Sequence, residues 1–302
     1  MLKILTILFA FSLCGLAEAK ETEKNKSNAL IGIYIINIDN INVKDQTFYA
    51  EFYLNIKWKG NTTAKNFEFI NSKEINRSFY SEWKEGGYNY LTCKVRGTFW
   101  CEMDVHRYPF DKQKLKLLLS DYAYTIDSIM YTKDDTVSGI SKNIKIVGWK
   151  INNEVAKICK VNELDSTFPC YDFEIDIERL KSVFILKILI PILIVLCAAY
   201  LSLFLPKKII EAGISLASTA LLSLIAFYFS ISGSLPDVDY ATKFDVLMIG
   251  SYTFILTTLG EVVWVNYFLR TDKKWSAFKT EKNMRIFLPL VYLFLLVILT
   301  IW

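Results

Sequence analysis

Four apolar stretches near the C-terminal end constrain this chain most: Val183 to Leu205, Ile209 to Ser232, Val246 to Leu269 and Met284 to Trp302. Each has about the ~20 residues that a helix needs to cross a bilayer. With 53% hydrophobic residues overall, the chain is no ordinary soluble domain. The stretches are separated at Pro206-Lys207-Lys208, at Gly233 to Lys243 and at Arg270 to Asn283. If the N-terminus is exported, the first and third breaks lie inside with Lys207, Lys208, Arg270, Lys273, Lys274, Lys279 and Lys282. The second then lies outside with Asp237 and Asp239. All three follow the positive-inside rule, which places the chain in the cell membrane as a multi-pass protein.

Lys3, the apolar run Ile4 to Leu13 and Ala17-Glu18-Ala19 predict a signal peptide over residues 1–19, with Lys20 as the mature start. A lipoprotein signal on Cys14 is the rival, but Leu13 stands where a small residue is wanted. The two regimes predict an outer domain over 20–182, extracellular or periplasmic, and a transmembrane domain over 183–302. In the outer part, period-two alternation predicts strands over Ile31–Ile36, Phe48–Trp58, Phe99–Val105, Lys114–Leu119, Ile144–Trp149 and Tyr171–Ile177. Many short strands over this length predict an all-β antiparallel sandwich. Trp58, which ends an alternating strand, is expected to pack inside it.

The net charge of +4 and the lack of a basic block argue against nucleic acid as a partner. A single histidine, His106, with no HExxH and no Gly-rich phosphate loop, leaves no catalytic set, metal site or cofactor to expect. The second apolar stretch differs from the rest. At ~100° per residue, Glu211, Ser215, Ser218, Thr219, Leu222, Ala226 and Phe229 share one stripe, polar at its cytoplasmic end and apolar at its outer end. Helix chemistry alone leaves two readings open, a polar seam buried within one bundle or the lining of a water-filled pore.

Cys101-Glu102-Met103-Asp104-Val105-His106-Arg107-Tyr108-Pro109-Phe110-Asp111-Lys112-Gln113 resembles the Cys-loop segment of pentameric ligand-gated ion channels. Arg179 before the first span, Pro191 within it, Glu211 opening the second, Leu235-Pro236 after it and Arg285-Ile286 with Pro289 in the last recur in the family's order. The likeness runs from about Phe48 to the end and is closest to bacterial members. It departs from the family at Leu115, where the partner of Cys101 would stand.

The resemblance implies an outer sandwich followed by a four-helix transmembrane bundle, assembled as a homopentamer around a central pore. Its expected partners are membrane lipids, permeant monovalent cations and a small-molecule agonist, with an amine as the candidate class. Glu211, Ser215, Thr219, Leu222, Ala226 and Phe229 would line the pore, with Glu211 as a cation-selecting ring unless it pairs with Lys207 or Lys208. Asp45, Asp111, Arg179 and Pro236 would couple the outer domain to the membrane. Tyr53, Tyr131, Phe168 and Tyr171 would wall the ligand site between subunits, with Asp134 or Asp135 nearby. Glu68-Phe69-Ile70-Asn71 resembles the first binding loop of amine-gated bacterial channels. Cys159 and Cys170 bracket the hairpin tip that would close over the ligand, so a disulfide is expected there. Cys93 and Cys101, eight apart in one strand, would lie too far apart to bond. A non-conducting receptor of the same fold and a proton-gated channel remain as alternatives.

Overall fold

The computed structural model describes residues 26–60, 62–206 and 209–301, so the expected signal peptide lies outside the described residues. Ten strands come first: β1 (Ser27–Asn42), β2 (Thr47–Lys59), β3 (Phe67–Phe69), β4 (Ser72–Glu85), β5 (Tyr88–Trp100), β6 (Lys112–Asp121), β7 (Ile129–Lys133), β8 (Gly139–Ile140), β9 (Trp149–Glu163) and β10 (Ser166–Arg179). One sheet runs β4-β5-β2-β1-β7, with β8 also on β1, and the other runs β3-β6-β10-β9. In β2 the burial alternates residue by residue, which follows from a period of two with one face inward. Between the sheets, Phe52, Phe69 and Phe99 meet with centroids 5.2 to 5.9 Å apart. Trp58 is 4% exposed and packs in this core.

Two expected strands differ. The one expected over Phe99–Val105 ends at Trp100, although burial keeps alternating through Cys101, Met103 and Val105. No ladder pairing continues there, and Cys101 N donates to Gln46 O at 3.0 Å. The one expected over Ile144–Trp149 is a pair of turns, with Ile144 N donating to Ser141 O (3.2 Å) and Trp149 N to Ile146 O (3.1 Å). Gly148, at φ +82°, makes the bend that an L side chain would resist.

Four helices follow that are long and apolar enough to span a membrane: α1 (Lys181–Phe204), α2 (Ile210–Ser232), α3 (Lys243–Arg270) and α4 (Lys274–Ile301). A widened turn over Ile185–Leu189 precedes Pro191, which cannot donate to the turn before it. The fourth helix begins ten residues before the expected Met284, because its first turns are charged and continue past the apolar stretch. Where α3 meets α4, a Cβ built on Gly250 would lie 2.4 Å from Leu295, so glycine permits the close approach. One apolar cluster continues from the sandwich through Tyr108 and Phe184 into the bundle.

Candidate functional site

The side chains predicted for the pore share the face of α2 that its own chain leaves open. Gly213, Ala217, Ala220 and Leu224 are buried against the bundle. Glu211, Ser215, Ser218, Thr219, Leu222, Ala226 and Phe229 are all exposed, Leu222 at 68% and Phe229 at 69%. Small residues on the buried side let neighbouring helices approach closely. Thr219 Oγ1 donates to Ser215 O (2.8 Å), which uses the hydroxyl hydrogen and leaves oxygen lone pairs for the open side. Glu211 stands exposed in the first turn, and its possible partners Lys207 and Lys208 lie outside the described residues.

Where the sandwich meets the helices, Asp111 is 1% exposed and Arg179 grips it twice, Nε to Oδ1 at 2.6 Å and Nη2 to Oδ2 at 3.0 Å. Gln113 Nε2 donates to Asp111 Oδ2 (2.8 Å) and to Asp104 O (2.7 Å), tying both ends of the 101–113 segment together. The guanidinium lies over the rings of Trp149 (4.2 Å) and Tyr108 (5.0 Å). Asp45 is a correction to the expected cluster. It is exposed, and its carboxylate accepts from Asn42 Nδ2 within its own turn. Pro236 is half-buried beside Leu235, which joins the apolar cluster.

A main-chain link between the strands and the helices was not foreseen from the sequence. Lys243 N donates to His106 O and Phe244 N to Tyr108 O, both at 3.1 Å. These amides open α3 and have no partner within the helix, so the outer domain caps it with its own carbonyls. Thr242 and Asp245 complete a reciprocal capping box. Tyr228 of α2 donates to Asp245 Oδ1 (3.0 Å), and its ring stacks on Phe244 (5.9 Å, 11°). Contacts therefore pass from the 106–108 turn through the start of α3 to the residue beside Phe229. Lys44 adds a bond to Gly233 O (3.0 Å), and Phe110 meets Phe184 of α1 edge-on at 4.7 Å.

The four residues expected around a ligand do not meet within one chain. Tyr53 is half-buried on the outward side of β2, with Phe79 edge-on to its ring at 6.5 Å and Lys94 Nζ 5.8 Å from its centroid. Lys94 and Arg96 both pair with Glu51 beside it, and the Lys94 ammonium holds that carboxyl below its ordinary range. Phe168 is half-buried on β10. Tyr131 and Tyr171 are corrections. At 1% and 0% exposure they belong to the core, because period-two alternation turns both inward. Burial pushes the Tyr171 phenol up to about 12, and its hydroxyl lies 3.3 Å from Ser138 Oγ. Asp134 receives Thr136, and Asp135 pairs with Lys133 at 3.4 Å. Asn71 is used structurally: its amide nitrogen donates to Trp100 O and Lys116 O, each at 2.8 Å, and its oxygen accepts from Leu118 N.

Cys159 and Cys170 are directly opposed on β9 and β10 and joined by a disulfide, with Cα atoms 4.6 Å apart. Beyond them, Leu164 and Asp165 turn the hairpin at φ +47° and +59°, leaving Leu164 98% exposed at the tip. Cys93 and Cys101 are buried free thiols.

Residues 61–181 match the family model described as the neurotransmitter-gated ion-channel ligand binding domain. The chain is similar to a gamma-aminobutyric acid receptor subunit beta of Lymnaea stagnalis, 26% identical over 63% of this chain and 37% of that protein. It is 26% identical to probable ligand-gated ion channel 46 of Caenorhabditis elegans over 69% of this chain and 42% of that one. Against a glutamate-gated chloride channel of Drosophila melanogaster the identity is 22%, over 78% of this chain and 57% of the relative. The chain thus spans from 37% to 57% of the lengths of these three relatives.

Proposed function

We propose that this chain, a member of the Cys-loop superfamily of pentameric ligand-gated ion channels, forms a cation-selective channel from five copies of itself. The observation that carries the reading is the open stripe on α2. An isolated helix face bearing a carboxylate, several hydroxyls and then Leu222 and Phe229 has little reason to face lipid, and five such faces around an axis make a pore. Glu211 from five copies would form a carboxylate ring at the cytoplasmic mouth, which draws cations and repels anions. Thr219 oxygen would replace part of a cation's water shell, and the rings of Leu222, Ala226 and Phe229 would close the path by dewetting.

A small-molecule agonist, with an amine as candidate class, would bind between neighbouring outer domains. The Tyr53 and Phe79 face of one copy would meet the Phe168 hairpin of the next, with Tyr131 and Tyr171 supporting from the core. Binding would shift the closed-to-open equilibrium through the Asp111–Arg179 junction and the capped start of α3. The three-residue connection Thr271–Lys273 before α4 supports the bacterial type.

One relative's name includes chloride, so the sign of selectivity is what the experiment must read. Current from the purified protein in lipid bilayers, under asymmetric salt and across amines and pH, should reverse toward the cation potential, and Glu211→Ala should move that reversal toward zero. Reversal at the anion potential would refute the Glu211 argument. Demonstrated agonist binding without current would favour a non-conducting receptor. Opening by a pH step alone would favour proton gating.

A further inference from the structure

Hydroxyls along the spans commonly give their hydrogen to the turn before. Thr219, Ser223, Ser251, Thr253 and Thr258 each donate to the carbonyl four residues earlier, at 2.8 to 2.9 Å. Ser202 departs from this pattern. It is 3% exposed, it opens the tightened last turn of α1 over Ser202–Phe204, and its Oγ has no hydrogen-bond partner among the described residues. A hydroxyl shut away from solvent without a partner is costly, so its partner is to be sought in the space beside it. Ser202 lines a cavity bounded by the ends of α1 and α3 and the start of α2, whose wall also includes Leu205, Ile210, Gly213, Val262 and Asn266. About 20 Å³ of it is open to the centre of a water molecule. One water needs about 10–15 Å³ by that measure.

We propose that this cavity is a hydration site: one ordered water accepts from Ser202 Oγ and holds the start of α2 against the ends of α1 and α3. The space suits a single water and nothing bulkier. Asn266 is the other polar side chain on the wall, and its amide brings both a donor and an acceptor. α2 begins on Ile209 without a side-chain cap, unlike α3 with its capping box, so its first amides need an oxygen from outside the helix. Ser202, Asn266 and this uncapped start together offer the two to four polar partners that a buried water takes. Ile210 and Gly213 line the cavity, and Glu211 stands between them in sequence with its side chain on the open face. What fills the space behind this turn therefore sets where the carboxylate stands, and Ser202 is a positioning residue for Glu211 without touching it. A Cβ built on Gly213 would lie 3.5 Å from Val262 and 3.7 Å from Ser202 O, which are ordinary contacts. A methyl group there fits without strain and takes room from the water.

The hydration site stands without the channel reading, and only its effect through Glu211 rests on it. Thermal unfolding midpoints of the full-length protein in lipid nanodiscs are compared for wild type, Gly213→Ala, Ser202→Ala and the double variant. Alanine is the better helix former, so Gly213→Ala should raise the midpoint unless it strands a hydroxyl. We expect it to lower the midpoint by about 2–4 °C when Ser202 is present and to raise it when Ser202 is already alanine. A rise in both backgrounds would mean that a dry cavity was filled, a fall in both would mean a steric fault, and either overturns the proposal. A density map of wild type that resolves waters gives a second reading: a peak within about 3.2 Å of Ser202 Oγ is expected, and a bare cavity refutes hydration. In bilayers, Ser202→Ala should move the reversal potential in the direction of Glu211→Ala but by less, and Ser202→Thr, which keeps the hydroxyl, should move it less again. No shift from Ser202→Ala where Glu211→Ala gives one would overturn the positioning role. A silent protein that keeps the unfolding coupling would count against the channel and leave the hydration site standing.

Discussion

Arg179→Met would test how the junction is held. The Asp111 carboxylate receives two donors from Arg179 and one from Gln113, and it is 1% exposed. Removing the guanidinium leaves a buried charge with a single amide partner, and breaking a buried pair in this way costs about 3–5 kcal/mol. Asp111→Asn is milder. The Arg179 side chain keeps 15% exposure, the faces of Trp149 and Tyr108 and an amide oxygen to donate to, so the cost is about 1–3 kcal/mol. The double variant leaves no carboxylate behind and should lie closer to Asp111→Asn than to the sum. Unfolding of the full-length protein followed by tryptophan fluorescence reads all three, since Trp149 sits on the guanidinium. If Arg179→Met costs no more than Asp111→Asn, or if the two effects add, the buried-charge argument is wrong.

Two further outcomes concern sulfur. Cys159→Ser should lower the stability of the outer domain by about 3 kcal/mol, the loop-closure value for a separation near that of this pair, and a reducing agent should do the same to wild type but not to the variant. Burial pushes the Cys93 and Cys101 thiols from 9.0 up to about 11, so iodoacetamide at pH 8 should spare both in the folded protein and modify both after unfolding. Because their folded values are raised, the stability they contribute is fully present below about pH 9 and should be lost as pH rises toward about 11. Alkaline unfolding of a Cys93→Ala, Cys101→Ala double variant should lack that part of the loss.

Period-two alternation made β1, β2, β6 and β10 legible, because each hides one face in the sandwich. It missed β4 and β9, edge strands with most positions exposed on both faces, where no hydrophobic rhythm is required, and it passed over most of β5, a central strand whose inward positions include Cys93 and Gly97. It over-read the run from Cys101 to Val105, where burial alternates but no neighbour strand pairs. The stripe on α2 was readable because a helix face is set by local spacing. Tyr131 and Tyr171 were misplaced because a chain with 15% aromatic residues offers rings to every wall, and only the fold says which point inward. The stacking of His106 on Tyr240 joins residues far apart in sequence and belongs to no motif, so only the folded chain could reveal it.

The bonds from Lys243 and Phe244 to the carbonyls of His106 and Tyr108 consist wholly of main-chain atoms. No particular side chain encodes them, so substitutions on the outer sheets or along the open face of α2 leave this link in place. Proline at 243 or 244, the residue that lacks an amide hydrogen, is the substitution that would cut one of its two strands.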